Sequence, residues 1–316
     1  MAGPTPYSPP TVHPALDPVI SQLLAASISK STHKLYNRCW SSFKSFHMQY
    51  FTVVPSIPVS VNSIIGFIAH LHESGYSSST IKSYISALSY FHKLSSTNDP
   101  TTSFLIKKLI IGTGSLARNP AVRLPITISI LSKLTQAVKY VESSHYHQTL
   151  ISAMFMLSFH AFLRVGEFTV TQSASHTLQH SDIILDRSST CQPTIRISFK
   201  SFKHQKDSYH PVLEIKSPNP VQIVSKFLRI RPSIPGPLFI FPDSTPVSSS
   251  YFGSVLKSCL VHLGLNPSVY KPHSFRIGAA TTAASMGFSD TQISTMGRWK
   301  SSAFKKYIRI PSLSSV

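Results

Sequence analysis

Three short stretches of the chain hold side chains suited to moving a phosphodiester bond. Arg164 closes a long apolar run in LRVGEF, and Glu167 follows three residues later. KPHSFRIGAA, residues 271–280, places His273 and Arg276 three apart at the start of a predicted helix. GRWKSSAFKKYIR, residues 297–309, sets Tyr307 among Arg298, Lys300, Lys305, Lys306 and Arg309. Phosphodiester transfer without a metal needs a nucleophile, cations on the non-bridging oxygens and an acid for the departing oxygen. Each stretch also has a plainer reading. A guanidinium beside an apolar run is costly to bury unpaired, so Arg164 calls for a partner, and either Glu167 or a bound phosphate would serve. His273 and Arg276 would project from one face near a helix's positive end, which suits phosphate oxygens, but His-x-x-Arg alone is a weak pattern. Tyr307 in so basic a segment would meet a DNA backbone, or sit as an amphipathic surface tyrosine.

The elements that must carry these groups follow from periodicity. Residues 1–17, with Pro4, Pro6, Pro9, Pro10 and Pro14, read as an extended or disordered tail. Residues 18–112 are helical in pattern throughout. Tyr36, Trp40, Phe43, Phe46 and Tyr50 make one apolar stripe, and Ile64, Phe67, Ile68 and Leu71 a second, opened by Ser60 and closed by Gly75. Ile81, Tyr84, Ile85, Leu88 and Phe91 make a third, and Phe104, Leu105, Leu109 and Ile110 a short fourth. A bundle of four or five helices is expected, its aromatic stripes forming a core. Residues 113–125 read as a linker, broken around Gly112, Gly114, Pro120 and Pro125 and charged only at Arg118 and Arg123.

Residues 126–316 change grammar. Helical patterns over 129–141 and 146–163 precede two strand-like runs, TIRISFK at 194–200 and YHPVLEI at 209–215, which read as a hairpin. Pro211 argues that the second is an edge strand. Helical patterns return over 221–230, 250–263, 275–286 and 290–296. The fold class expected is mainly α with a small antiparallel β-sheet.

Composition bounds the partners. The 316 residues carry 30 Lys+Arg against 11 Asp+Glu, a net charge of +19, and are 42% hydrophobic. Enough apolar surface is present for real cores, and the length favours two domains. The cationic excess repels itself in a compact fold but suits a polyanion, because nucleic acid releases counterions on binding. Anionic membrane ranks lower, since no basic run adjoins an apolar anchor. Cys39, Cys191 and Cys259 are far apart and odd in number, which fits reduced thiols in a nuclear or cytoplasmic protein, and no secretory signal is visible. No zinc-like Cys/His spacing, GxSxG elbow or carboxylate pair suited to Mg²⁺ occurs, so no cofactor is expected.

The order of these parts resembles the catalytic domain of the tyrosine recombinases, the phage-integrase-like family: Arg-x-x-Glu, a hairpin with lysines, His-x-x-Arg, then a Trp and a Tyr. The 18–112 region resembles that family's helical, SAM-like core-binding domain, and 126–316 its catalytic domain. The Gly297-Arg298-Trp299 triplet looks most like recombinases of eukaryotic mobile elements.

The resemblance implies roles. Arg164 and Arg276 would clamp the scissile phosphate, Tyr307 would attack phosphorus to give a 3′-phosphotyrosyl link, and His273 would hydrogen-bond the phosphate or act as base. Trp299 would donate its indole N–H, and Glu167 would orient Arg164. A hairpin lysine would protonate the departing 5′-oxygen. SFKSFKHQKD offers Lys200, Lys203 and Lys206, with Lys203 preferred and Lys200 next.

Lys82, Arg118, Arg123, Lys271, Arg298, Lys300 and Lys305 would contact double-stranded DNA, on which copies would associate as a synaptic dimer or tetramer. One departure is that Trp299 precedes Tyr307 by eight positions where many relatives have nine, and Arg298 stands at nine. The activity implied is a metal-independent DNA strand transferase. The alternatives are a DNA-binding descendant that no longer cleaves and a type IB topoisomerase.

Overall fold

The computed structural model describes residues 11–116, 123–170, 177–186, 192–200 and 210–309. The chain divides into two compact units, Met1–Pro120 and Ala121–Val316.

The first unit contains helices α1 (Asp17–Ala26), α2 (Lys30–Phe51), α3 (Val61–Glu73), α4 (Ser78–Leu94) and α5 (Phe104–Ser115). Serine begins the three long ones: the side chains of Ser29, Ser60 and Ser77 accept from the amides of Thr32, Ser63 and Thr80, satisfying donors that a helix start leaves free. The three predicted stripes meet in one core that includes Trp40, Phe43, Phe67, Ile81 and Phe91. Two details differ. Tyr50 is exposed, and α5 faces the core through Ile106 while Phe104 and Leu105 point to solvent. Of the expected tail, 1–10 lies outside the described residues; from Val12 the chain turns back, the amides of Val12 and His13 donating to the Asp17 carboxylate, and helix begins at Asp17 itself. Helix α5 runs on to Ser115, so the first residues of the expected linker are helical.

The second unit contains α6 (Ile128–Val141), α7 (His145–His160), α8 (Val165–Phe168), then strands β1 (Ile183–Asp186), β2 (Thr194–Ser198) and β3 (Val212–Ile215). Helices α9 (Pro218–Ile230), α10 (Ser249–His262), α11 (His273–Ser285) and α12 (Asp290–Gly297) follow, with a 3-10 turn over Ser302–Tyr307. The strands form one antiparallel sheet in the order β1-β2-β3. Pairing sets Ile183, Ile197 and Leu213 in one row and Leu185, Ile195 and Ile215 in the next, all in or against the core, while Ile184, Arg196 and Glu214 make a row on the other face. Strand β1 is an addition to the predicted hairpin, and among the described residues β3 is an edge of the sheet, with Pro211 just before it. The hairpin's 201–209 segment lies outside the described residues.

Helix α7 is the spine of this unit, buried from Thr149 to Phe159 apart from Ser152. The chain enters the unit beside α11: the Leu124 amide donates to the Val269 carbonyl (2.9 Å) and that of Ile126 to Ser274 (3.0 Å). A Cβ at Gly278 would lie 1.8 Å from the Ile126 carbonyl oxygen, so only glycine permits this approach. Among the described residues no helix is long and apolar enough to cross a membrane.

Candidate active site

The C-terminal end of α7 organises the site. Phe162 takes a left-handed conformation (φ 51°), which ends the helix and turns the chain into Arg164. The carbonyls left free there carry the negative end of the helix dipole. Two guanidiniums reach the carbonyls there: Arg276 donates to Phe162, and also to Gly297 at the end of α12, while Arg298 donates to Ala161 (3.2 Å) and Phe162 (3.4 Å). The Nε atoms of both arginines are buried without a hydrogen-bond partner among the described residues.

Glu167, 3% exposed, joins the cluster from α8. Its Oε1 accepts from Arg164 Nη1 (2.8 Å), while its Oε2 accepts from the Arg164 amide (3.0 Å) and from Arg298 Nη2 (2.7 Å). Burial pushes its carboxyl up, but Arg298 and Arg164 more than offset that and hold it below the usual carboxylate range. Arg298 also lies over the Phe199 ring at 3.7 Å. Expected on the DNA-facing surface, Arg298 is instead a core residue. It follows Gly297 in a left-handed conformation (φ 55°) that turns its side chain inward, and its charge is held by a carboxylate and helix-end carbonyls.

Trp299 covers Arg276, whose guanidinium carbon lies 4.0 Å from the ring centroid. Arg276 is fully buried, and burial together with Arg164 pushes its pKa down to about 9, leaving it protonated at neutral pH. Tyr307 ends the 3-10 turn with its ring centroid 5.2 Å from that of Trp299 and 5.0 Å from that of His273. His273 opens α11, and burial, then Arg276, Arg123 and Arg164, push its pKa down to about 4, so the imidazole is neutral at pH 7. Arg164, His273, Arg276, Trp299, Tyr307 and Glu167 therefore come together from α8, α11 and the segment that follows α12.

The other predicted residues fall as follows. Lys203, Lys206 and Arg118 lie outside the described residues. Lys200 pairs with Asp182 at 2.7 Å. Arg123, Lys271 and Lys300 are exposed, as is Lys82 on α4 of the first unit. Lys305 is exposed too and pairs with Asp290 at 2.9 Å, an interaction of small energy at a surface. Among the described residues no group of three or more His, Cys, Asp or Glu is placed to hold a metal ion. Phe199, the platform under Arg298, escaped the sequence reading, because nothing in a strand's alternation marks which aromatic will meet a cation.

Comparison with known proteins agrees with this architecture. Residues 22–96 match the family described as phage integrase, N-terminal SAM-like domain. The integrase of the Tn1549 transposon, solved in complex with circular intermediate DNA, is 14% identical, with a TM-score of 0.63 and 93% of this chain and 94% of that one covered. XerH site-specific recombinase, solved on palindromic difH substrate in a post-cleavage complex, is 15% identical, with a TM-score of 0.62 and coverages of 89% and 76%. A lambda integrase dimer bound to a COC′ core site is 14% identical, with a TM-score of 0.60 and coverages of 92% and 75%. No curated protein matches the chain in sequence. At such identities the likeness is one of fold: a SAM-like helical domain followed by a unit built as in the tyrosine recombinases.

Proposed function

We propose that this chain is a site-specific DNA recombinase of the tyrosine type, cleaving and rejoining double-stranded DNA through a phosphotyrosyl intermediate at Tyr307. The observation that carries the reading is a charge imbalance beside a phenol. Arg164, Arg276 and Arg298 converge on one carboxylate, Glu167, with two of the three guanidiniums buried, next to a neutral His273 and Tyr307. Buried cations in excess of their counterions favour an anion at the site, and a DNA phosphate is the anion that a cationic chain of net charge +19 would meet most strongly.

In this reading the side chains divide the reaction among them. Arg164 offers its remaining N–H donors to the non-bridging oxygens, with the Trp299 indole N–H and the field of buried Arg276 stabilising the charge that develops in the pentavalent transition state. The Tyr307 oxygen forms its bond to phosphorus as the bond to the 5′-oxygen breaks. The phenolic proton passes to His273, and a hairpin lysine, Lys203 in our assignment, gives a proton to the 5′-oxygen. Burial is the larger cause of the imidazole's low pKa, and a seated phosphate would oppose the smaller one, the repulsion from Arg276, Arg123 and Arg164, raising its basicity when the proton must be taken. The chemistry draws all its charge compensation from side chains and calls for no metal or nucleotide. The Gly297-Arg298-Trp299 triplet is the feature that favours a mobile-element origin.

The test is a nicked duplex that loses a short fragment on cleavage, so that the adduct is trapped. Wild-type protein should form a covalent protein–DNA adduct, in EDTA as well as in Mg²⁺. Tyr307→Phe should bind DNA and form none. An adduct in the Tyr307→Phe protein would overturn the assignment.

A further inference from the structure

We propose that Thr281 is a positioning residue that latches the backbone of Tyr307 onto α11, the helix that also carries His273. The Thr281 hydroxyl donates to the Tyr307 carbonyl at 3.1 Å and accepts from the Arg309 amide at 3.1 Å. One hydroxyl thus spends its proton on the residue bearing the phenol and a lone pair on the amide two residues on, which is what a hydroxyl offers and a methyl cannot. β-Branching restricts the threonine's rotamers, so the pair of bonds is held open for the chain rather than searched for.

The segment held this way also packs Tyr307 and Ile308 against the core and pairs Lys305 with Asp290. It is a 3-10 turn, a helix type with poorer hydrogen-bond geometry than the α form, with Lys305 and Lys306 exposed. Phe304 is its buried anchor, three residues before the tyrosine. Beyond Tyr307 the chain is extended, and Ile308 closes the turn with a long bond to the Lys305 carbonyl at 3.3 Å. The bonds from Thr281 act where this turn ends. Thr281 lies eight residues along α11 from His273, about 12 Å at the helical rise. The same rigid element therefore fixes the imidazole against the phenol ring and the phenol's own backbone, and the separation between the two reacting groups is set within one helix. A nucleophile displaced by an ångström loses on the order of a hundredfold in rate.

The inference rests on Tyr307 being the nucleophile, and its test has one arm that does not. Thr281→Val keeps the shape and removes both bonds, while Thr281→Ser keeps the hydroxyl. Hydrogen exchange without DNA should show the Arg309 amide losing protection in Thr281→Val and keeping it in Thr281→Ser, with α7 amides unchanged in both. On the nicked duplex, Thr281→Val should slow single-turnover adduct formation by about ten- to a hundredfold at unchanged DNA affinity, and Thr281→Ser should restore the rate. Unchanged Arg309 exchange in Thr281→Val, or freed exchange with a wild-type adduct rate, overturns the latch. No adduct from the wild-type protein, with Arg309 exchange freed in Thr281→Val, overturns instead the reading of Tyr307 as nucleophile.

Discussion

Replacing Arg298 with methionine keeps most of the side-chain volume and removes a charge that is 3% exposed at the side chain. The lost contacts are the 2.7 Å bond to Glu167, those to the Ala161, Phe162 and Met296 carbonyls, and the stacking over Phe199. Removing one member of a buried ion pair typically costs about 3–5 kcal/mol, because the other charge stays buried. Glu167 keeps Arg164 at 2.8 Å, which puts the expected cost near the lower end, about 3 kcal/mol. In a unit of this size each kcal/mol lowers the midpoint by roughly 2–4 °C. Thermal denaturation followed by circular dichroism at pH 7 should therefore show the second unit melting about 6–12 °C earlier. Adding Glu167→Gln should deepen that loss, since Arg164 and the buried Arg276 then lose their shared carboxylate. A surface DNA contact would behave in the opposite way: the midpoint would hold, and the salt dependence of DNA binding would fall by about one unit of slope. A midpoint within about 2 °C of wild type would refute the buried pairing.

Two further outcomes follow. His273 and His160 have folded pKa values pushed down to about 4 by burial, so the unfolded chain binds protons first and stability should fall as pH drops from about 6.5 toward about 4. Glu167, held below its ordinary value, adds its own loss at the acid end; equal urea midpoints at pH 7.5 and pH 5 would contradict the two histidine shifts. Gly297→Ala would set its Cβ 1.6 Å from the Trp299 ring, so the indole should leave Arg276, altering the near-ultraviolet circular dichroism and slowing adduct formation at least about tenfold. Gly253→Ala in α10, with nothing within 4 Å, is the control that should be tolerated.

What the chain's order reveals and what it hides divide along physical lines. The stripes of α2, α3 and α4 are legible because each buries one face and repeats with the helical period, and Ser60 marks a helix start through its own hydroxyl. Strand β1, four residues long, gives too short an alternation to stand out, and in α5 two apolar triplets flanking Lys107 and Lys108 do not say which side of the helix is covered. Motif order brought His273, Arg276, Trp299 and Tyr307 into view together, and their rings and guanidinium are indeed adjacent. Arg298 reads as a surface contact because Lys300, Lys305 and Lys306 follow it, whereas its counter-ion lies 131 positions away. A buried charge is explained by its partner in space, and local composition carries no trace of a partner so remote. Thr281 is hidden for the same reason.

The approach of Ile126 to Gly278 has a mechanical meaning. Among the described residues, backbone bonds tie Leu124 to Val269 and Ile126 to Ser274, and Gly278 lets Ile126 approach α11 closely. Ser274 is the residue between His273 and Phe275, so the chain is moored on the first turn of the helix that bears the imidazole and Arg276. A pull on residues 124–126 is borne by that turn. This mooring is thus also a load path, ending at two of the side chains that would handle the phosphate.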